Sequence, residues 1–265
     1  MAITATTVKE LEDRTAQAFT QFTHLLHTVG PDARLKNGSW TSWDVAAHLL
    51  TVLTRYTRRD FAVRDGMAAT AEALTTDNAR ELRALGDVDM AELLVRLDSE
   101  FDAYREIDLP LEQMFPFHGM QLIDGAGARS NVLGELLIHG RDLAVSTSRP
   151  WPLEQRDLLL VLNGALQVAG AWLNTDKTDG LRLDVALHIR GGHPQILHIA
   201  DGAGIVRDQL PSDRPDSVIS SPAVPLALLL YGRLTLPAAI WRGVLITGGR
   251  RPWTGLRVPN LFLPA

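Results

Sequence analysis

Apolar residues recur at helical intervals along the first two thirds of the chain and at alternate positions beyond it. Leu11, Phe19, Phe22, Leu25 and Leu26 share one face of a helix predicted from about Val8 to Val29, which Gly30-Pro31 stops. A second helix starts after Thr41, because Thr41 and Asp44 have the spacing of a capping box. Its inward stripe of Val45, Leu49, Val52, Leu53 and Tyr56 carries it to about Arg64. The polar stretch from Asp65 to Asp89 predicts a short helix or loop around Thr75 to Leu85. Leu93, Leu94, Leu97, Phe101 and Tyr104 predict a third long helix over Met90 to Ile107. Leu109 to Gly127 reads as a long irregular connection, of a kind that is often functional. Helices over Ala128 to Ser146 and Leu153 to Leu173 complete this part.

The period changes after Asn174 to Gly180, a short polar hinge ending in glycine. Leu181, Leu183, Val185, Leu187 and Ile189 alternate with Arg182, Asp184, Ala186, His188 and Arg190, which predicts a half-buried strand. Gly191 to Pro194 makes a turn, and strands are expected over Gln195 to Ala200, Gly204 to Leu210 and Ser217 to Ser220. A helix over Pro222 to Leu230, a shorter one through Trp241 and a strand over Val244 to Thr247 follow. The expectation is two domains, an all-α four-helix bundle over residues 1–175 and a small α+β unit over 180–265.

Composition narrows the function. The formal charge of -5 and pI of 5.9 supply no field that would draw the chain to nucleic acid. With no cysteine in the chain, no disulfide and no protein thiol is available as nucleophile or metal ligand, so sulfur chemistry would need a thiol from solution. The first residues lack a basic flank followed by an apolar core, and the apolar run from Leu158 to Leu173 falls short of the ~20 residues that span a bilayer. A cytoplasmic location without membrane contact is expected.

The candidate chemistry lies in Gly134-Glu135-Leu-Leu-Ile-His139-Gly-Arg-Asp142. Glu135 and His139 are four apart in a helical run, which sets their side chains about 40° apart around the axis. One helix can thereby offer two ligands to one metal ion. His139 falls in the centre of an apolar face, where an uncharged residue is expected. A third ligand is available in His48, at the edge of the second helix's stripe, since facing helices commonly build metal sites in bundle cores. Two imidazoles and a carboxylate suit Zn²⁺ with an open position, and also Fe²⁺. His24 and His27 read as solvated, and His188 and His198 fall on the polar phase of strands. No Gly-x-Ser-x-Gly elbow supports serine hydrolysis, and the glycine pairs at Gly191 and Gly248 lack a phosphate loop's context.

Trp40-Thr-Ser-Trp-Asp-Val-Ala-Ala-His48-Leu, followed by Gly134-Glu135-Leu-Leu-Ile-His139-Gly-Arg-Asp-Leu, resembles the mycothiol-dependent maleylpyruvate isomerase family, a branch of the DinB-like metal-binding bundles. The resemblance implies His48, Glu135 and His139 as ligands of Zn²⁺ or another divalent metal, with mycothiol as the low-molecular-weight thiol. It also implies a sterol-carrier-like α+β C-terminal domain. Arg233 occupies the place of the Gly-Arg to which that family assigns a catalytic arginine. The stretch after it, Leu-Thr-Leu-Pro-Ala-Ala-Ile-Trp-Arg-Gly, follows the sterol-carrier pattern more than the isomerase's own ending, which argues against maleylpyruvate itself. The activity implied is addition of a thiolate to a small electrophile, ending in S-transfer or isomerisation. Arg233, with Arg250 or Arg251, is expected to hold a carboxylate of substrate or thiol, and Asp142 to orient His139 or a neighbouring donor. The alternative is a carrier of lipid or another apolar molecule whose metal site is structural or vestigial.

Overall fold

The computed structural model describes residues 3–36, 38–58 and 67–263. It is a mixed α/β protein in which helices α1 (Val8–Thr28), α2 (Ser42–Thr57), α3 (Ala71–Ala84), α4 (Met90–Arg105), α5 (Gly125–Ser146) and α6 (Gln155–Gln167) precede a five-stranded sheet. The helix starts follow local capping chemistry. Thr41 accepts from the Asp44 backbone N–H while the Asp44 carboxylate accepts from that of Thr41, the reciprocal arrangement its spacing predicts. Thr7, Thr70, Asp89 and Asp124 cap α1, α3, α4 and α5 with their side chains. The predicted extension of the second helix to Arg64 lies outside the described residues.

Two expectations are corrected. The connection before α5 contains a hairpin of β1 (Met114–Phe117) and β2 (Gln121–Asp124). Its four-residue strands, one holding Pro116, are too short for alternation to register, and a two-stranded ribbon tolerates proline because each strand is an edge. The helix expected to run on to Leu173 ends at Gln167, and a 3-10 turn over Ala169–Trp172 follows. There Gly170 packs against the Gly204 carbonyl so closely that a Cβ would collide with it. The backbone has turned to meet the sheet.

After the single turn α7 (Thr175–Thr178) come β3 (Arg182–Ile189), β4 (Gln195–Ala200), β5 (Ala203–Asp208) and β6 (Ser217–Ser221), then α8 (Ala223–Leu230), α9 (Leu236–Trp241) and β7 (Leu245–Gly248). The order across the sheet is β5-β4-β3-β6-β7, with β3 and β6 parallel and every other pair antiparallel. Asp201-Gly202 joins β4 to β5 with both residues at positive φ, the two-residue hairpin turn for which Asp-Gly is favoured. A 3-10 segment, Pro252–Leu261, closes the chain against β6 and β7. One hydrophobic cluster runs without a break from Leu11 and Phe22 of α1, through Leu136 of α5 and Leu160 of α6, to Leu187 and Leu229. Across the expected boundary, the His193 N–H donates to the Ile3 carbonyl and the Leu263 N–H to the Trp172 carbonyl. No helix among the described residues is long and apolar enough to cross a membrane.

An ion-pair cluster pins α1 to α6. Arg156 donates from Nε and Nη2 to the two Glu10 oxygens at 2.7 and 2.6 Å, and from Nη1 to Thr4 Oγ1 at 2.7 Å. The Arg156 hydrogen bonds, against a smaller opposing effect of burial, bring the Glu10 carboxyl down from 4.5 to about 2. A depressed carboxyl stabilises the fold above its unfolded pKa, and that contribution fades as pH falls through its folded value. Glu10→Gln should therefore cost about 1–2 kcal/mol near neutral pH, discounted for the pair's partial exposure. The difference from wild type in urea midpoints should shrink steadily below pH 4.5 and nearly vanish by about pH 2. A difference independent of pH would mean that the charge is irrelevant.

Candidate metal centre

The α5 helix presents Asn131, Glu135, Ile138, His139 and Asp142 to a cavity of about 730 Å³. His48, Val52 and Arg55 of α2 face the same space, as residues spaced four and three apart on one helix must. His48 and Glu135 are 87 positions apart in the chain, yet His48 Nε2 lies 3.3 Å from Glu135 Oε2. His139 Nε2 lies 3.1 Å from the same oxygen. One ligand atom from each of the three sits within 4.8 Å of the others.

The electrostatics suit a cation. Burial lowers the His48 pKa, opposed by its contact with Glu135. Burial alone would raise the Glu135 carboxyl, but hydrogen bonds with His139 and His48 outweigh it and hold the group well below the usual carboxylate range. The spacing fits as well. Tetrahedral bonds of about 2.0–2.1 Å place neighbouring ligand atoms roughly 3.4 Å apart, close to the two Glu135 contacts. Trp40, from the loop before α2, closes one side, its ring centroid 5.1 Å from that of His48 and 5.8 Å from that of His139. The Nδ1 atoms of both imidazoles are buried and lack a hydrogen-bond partner among the described residues. Ring orientation therefore rests on packing against Trp40 and on the shared carboxylate.

Asp142 does not hydrogen-bond His139. It accepts from Arg233, whose Nε and Nη2 lie 3.0 and 2.8 Å from Oδ2, while Arg233 Nη1 donates to the Tyr231 carbonyl. The neighbouring donor is thus the arginine, and the bridge joins the ligand helix to the segment after α8. Arg233 lines the cavity. Arg250 is not among the lining residues. It is largely exposed and donates at 2.9 Å to Asp216, a buried carboxylate that Arg251 also engages. Of the other histidines weighed in the sequence, His24 and His27 are exposed, while His188 and His198 bond Gln209 and Asp184 at the sheet surface.

Two cavity residues escaped the sequence reading. Arg55 is held by Asn78 and Glu81 of α3, and its spacing from His48 and Val52 on one helix face was the available signal. The polar stretch that carries α3 is consequently a cavity wall. His118, in the β1–β2 turn, accepts from the Ala68 N–H at Nδ1, which leaves its proton on Nε2 when the ring is neutral. Burial brings its pKa down to about 4. No periodicity marks a residue in such a turn.

No family model matches the chain, and no curated protein matches it. Among solved structures, a crystal structure of the mycothiol-dependent maleylpyruvate isomerase aligns with a TM-score of 0.49 at 16% identity, over 92% of this chain and 97% of that one. A mutant of the same enzyme aligns with a TM-score of 0.48 at 15% identity, over 86% and 92% of the two chains. The stereoselective inverting sec-alkylsulfatase Pisa1 from Pseudomonas sp. gives 0.34 at 15% identity over 52% of this chain, which spans 24% of the sulfatase.

Proposed function

We propose that this chain is a metal-dependent enzyme that activates a low-molecular-weight thiol for addition to an electrophilic small molecule, with mycothiol as the thiol. The observation that carries the reading is the meeting of His48, Glu135 and His139 on one cavity wall. The family motifs support it, as does a chain without cysteine that must take its sulfur from solution. Two imidazoles and a carboxylate suit Zn²⁺ or another divalent ion and leave a position for a further ligand. A divalent cation held by them would lower the pKa of a coordinated thiol enough to supply a thiolate at neutral pH. The protein's own part is to hold the three ligands in register, to shield them beneath Trp40 and to present charge. Arg233, aligned by Asp142, offers a guanidinium to a carboxylate of the thiol or the substrate. Residues 1–175 and 180–265 are proposed as two units, a DinB-like bundle and a sterol-carrier-like domain, that share the cavity.

A carrier of apolar molecules is the second reading, favoured by the apolar lining that the later part of the chain contributes. Cobalt substitution separates the two. The cobalt protein should change its visible spectrum on addition of mycothiol, gaining a sulfur-to-metal charge-transfer band. Stoichiometric metal with neither a spectral response nor calorimetric heat on mycothiol addition would establish the carrier instead.

A further inference from the structure

The cavity is unequal along its length. Around the three ligands its polar lining includes Arg55, Asn78, Asn131, Asp142 and Arg233. From residue 165 onward, apart from the Trp172 ring, Tyr231 and Arg233, every described lining residue carries an apolar side chain or none. Leu187, Ile219 and Ile246 form a row across β3, β6 and β7 as direct cross-strand partners, and Leu226 and Leu229 of α8 also line the space. Protein interiors seldom leave voids larger than a water molecule, and an apolar void gives water no partners. A space of 730 Å³ falls within the roughly 300–1,000 Å³ of small-molecule sites.

The apolar part also reaches the surface. Ile240, Leu245 and Leu256 line the cavity and are 42%, 50% and 44% exposed, with Trp241, 90% exposed, next to Ile240 and Trp253, 64% exposed, three residues before Leu256. An apolar molecule therefore meets apolar side chains from the surface inward.

Building on the thiol-activating reading above, we infer that the substrate is an electrophile borne on an apolar chain, its reactive carbon at His48, Glu135 and His139 and its chain in the chamber of β3, β6, β7 and α8. The polar and apolar parts are one continuous cavity, so one molecule can occupy both. For a 2-alkenal the step balances without a redox partner. The sulfur–carbon bond forms at the β carbon, the alkene π pair moves to the α carbon, and the thiol's proton ends there.

The test uses the metal-loaded full chain, mycothiol and straight-chain trans-2-alkenals from pentenal to dodecenal, whose alkene reactivity is nearly constant. The value of kcat/KM should climb with chain length by up to about fourfold per methylene, equivalent to ~0.8 kcal/mol, until the chamber is full. Leu197→Phe, which narrows the chamber from β4, should cut the dodecenal-to-pentenal ratio by about tenfold. Leu245→Lys, at a half-exposed position that tolerates a charge in folding, should lower the same ratio. Dansylamino-undecanoic acid, a fluorescent chain without an electrophile, should bind in the absence of mycothiol and be displaced by dodecenal. Mycothiol adducts formed at a rate indifferent to chain length, with no probe binding, would overturn the substrate class and leave thiol activation standing. Probe binding with no adduct from any alkenal would overturn the inference together with the reading beneath it, leaving a carrier.

Discussion

Glu135→Gln should lose its divalent ion, with affinity falling by roughly 10³-fold or more. Loss of an outer partner of a metal ligand already costs about 10–100-fold, and here an inner carboxylate goes. The amide keeps the shape of the carboxylate but surrenders the charge toward which both imidazoles are turned, at 3.3 and 3.1 Å. Competition against a chromophoric chelator, with the folded state checked by circular dichroism, measures the effect. His48→Ala and His139→Ala should follow, and thiol addition should fall in all three. If the cluster were only an internal hydrogen-bond network, Glu135→Gln would lower thermal stability while metal content stayed unchanged. That pattern would end the metal assignment.

Arg233→Met should destabilise the fold by about 2–3 kcal/mol, because it takes from the buried Asp142 carboxylate the cation that hydrogen-bonds it and leaves only Arg141, 3.7 Å from Oδ1, as an ion-pair partner. Asp142 Oδ1 already has no hydrogen-bond partner among the described residues, so the carboxylate depends heavily on the guanidinium at Oδ2. Replacing both partners, as Arg233→Met with Asp142→Leu, should recover most of the loss, since two apolar groups bury more cheaply than one unpaired charge. Urea denaturation of the three variants gives the double-mutant cycle. Equal losses for the single and double variants would mean that Arg233 acts through packing rather than charge. The bridge also has a functional side: Arg233→Lys retains the charge but not the two-pronged contact. It should raise KM for the thiol or for a carboxylate-bearing substrate more than it lowers kcat.

Much of this architecture could be read locally. Thr41 and Asp44 announced the start of α2, and the alternation from Leu183 to Ile189 announced β3, because capping and pleating depend on residues within one turn or one strand. Glu135 and His139 were legible as a pair for the same reason, being neighbours on one helix. The β1–β2 hairpin was not, since four-residue strands leave too little pattern to separate from a loop. His118 inherits that silence, and Arg55 was hidden among neighbouring charges although its spacing from His48 was available.

The order of residues by itself determined most of the longer helices and strands, and which side chains each of them turns the same way. It also determined that sulfur chemistry would need a thiol from outside the chain. Only the packing of α2 against α5 brought His48 to Glu135 and His139. Only the closure of the sheet and α8 over the ends of the helices joined those residues to an apolar chamber, and sent Asp142 to Arg233 rather than to His139. The physical reason is range. Caps, turns and periodicity are settled within a few residues, whereas a shared cavity depends on how apolar faces far apart in the chain find one another, and many sequences with the same local pattern could pack those faces without leaving a space.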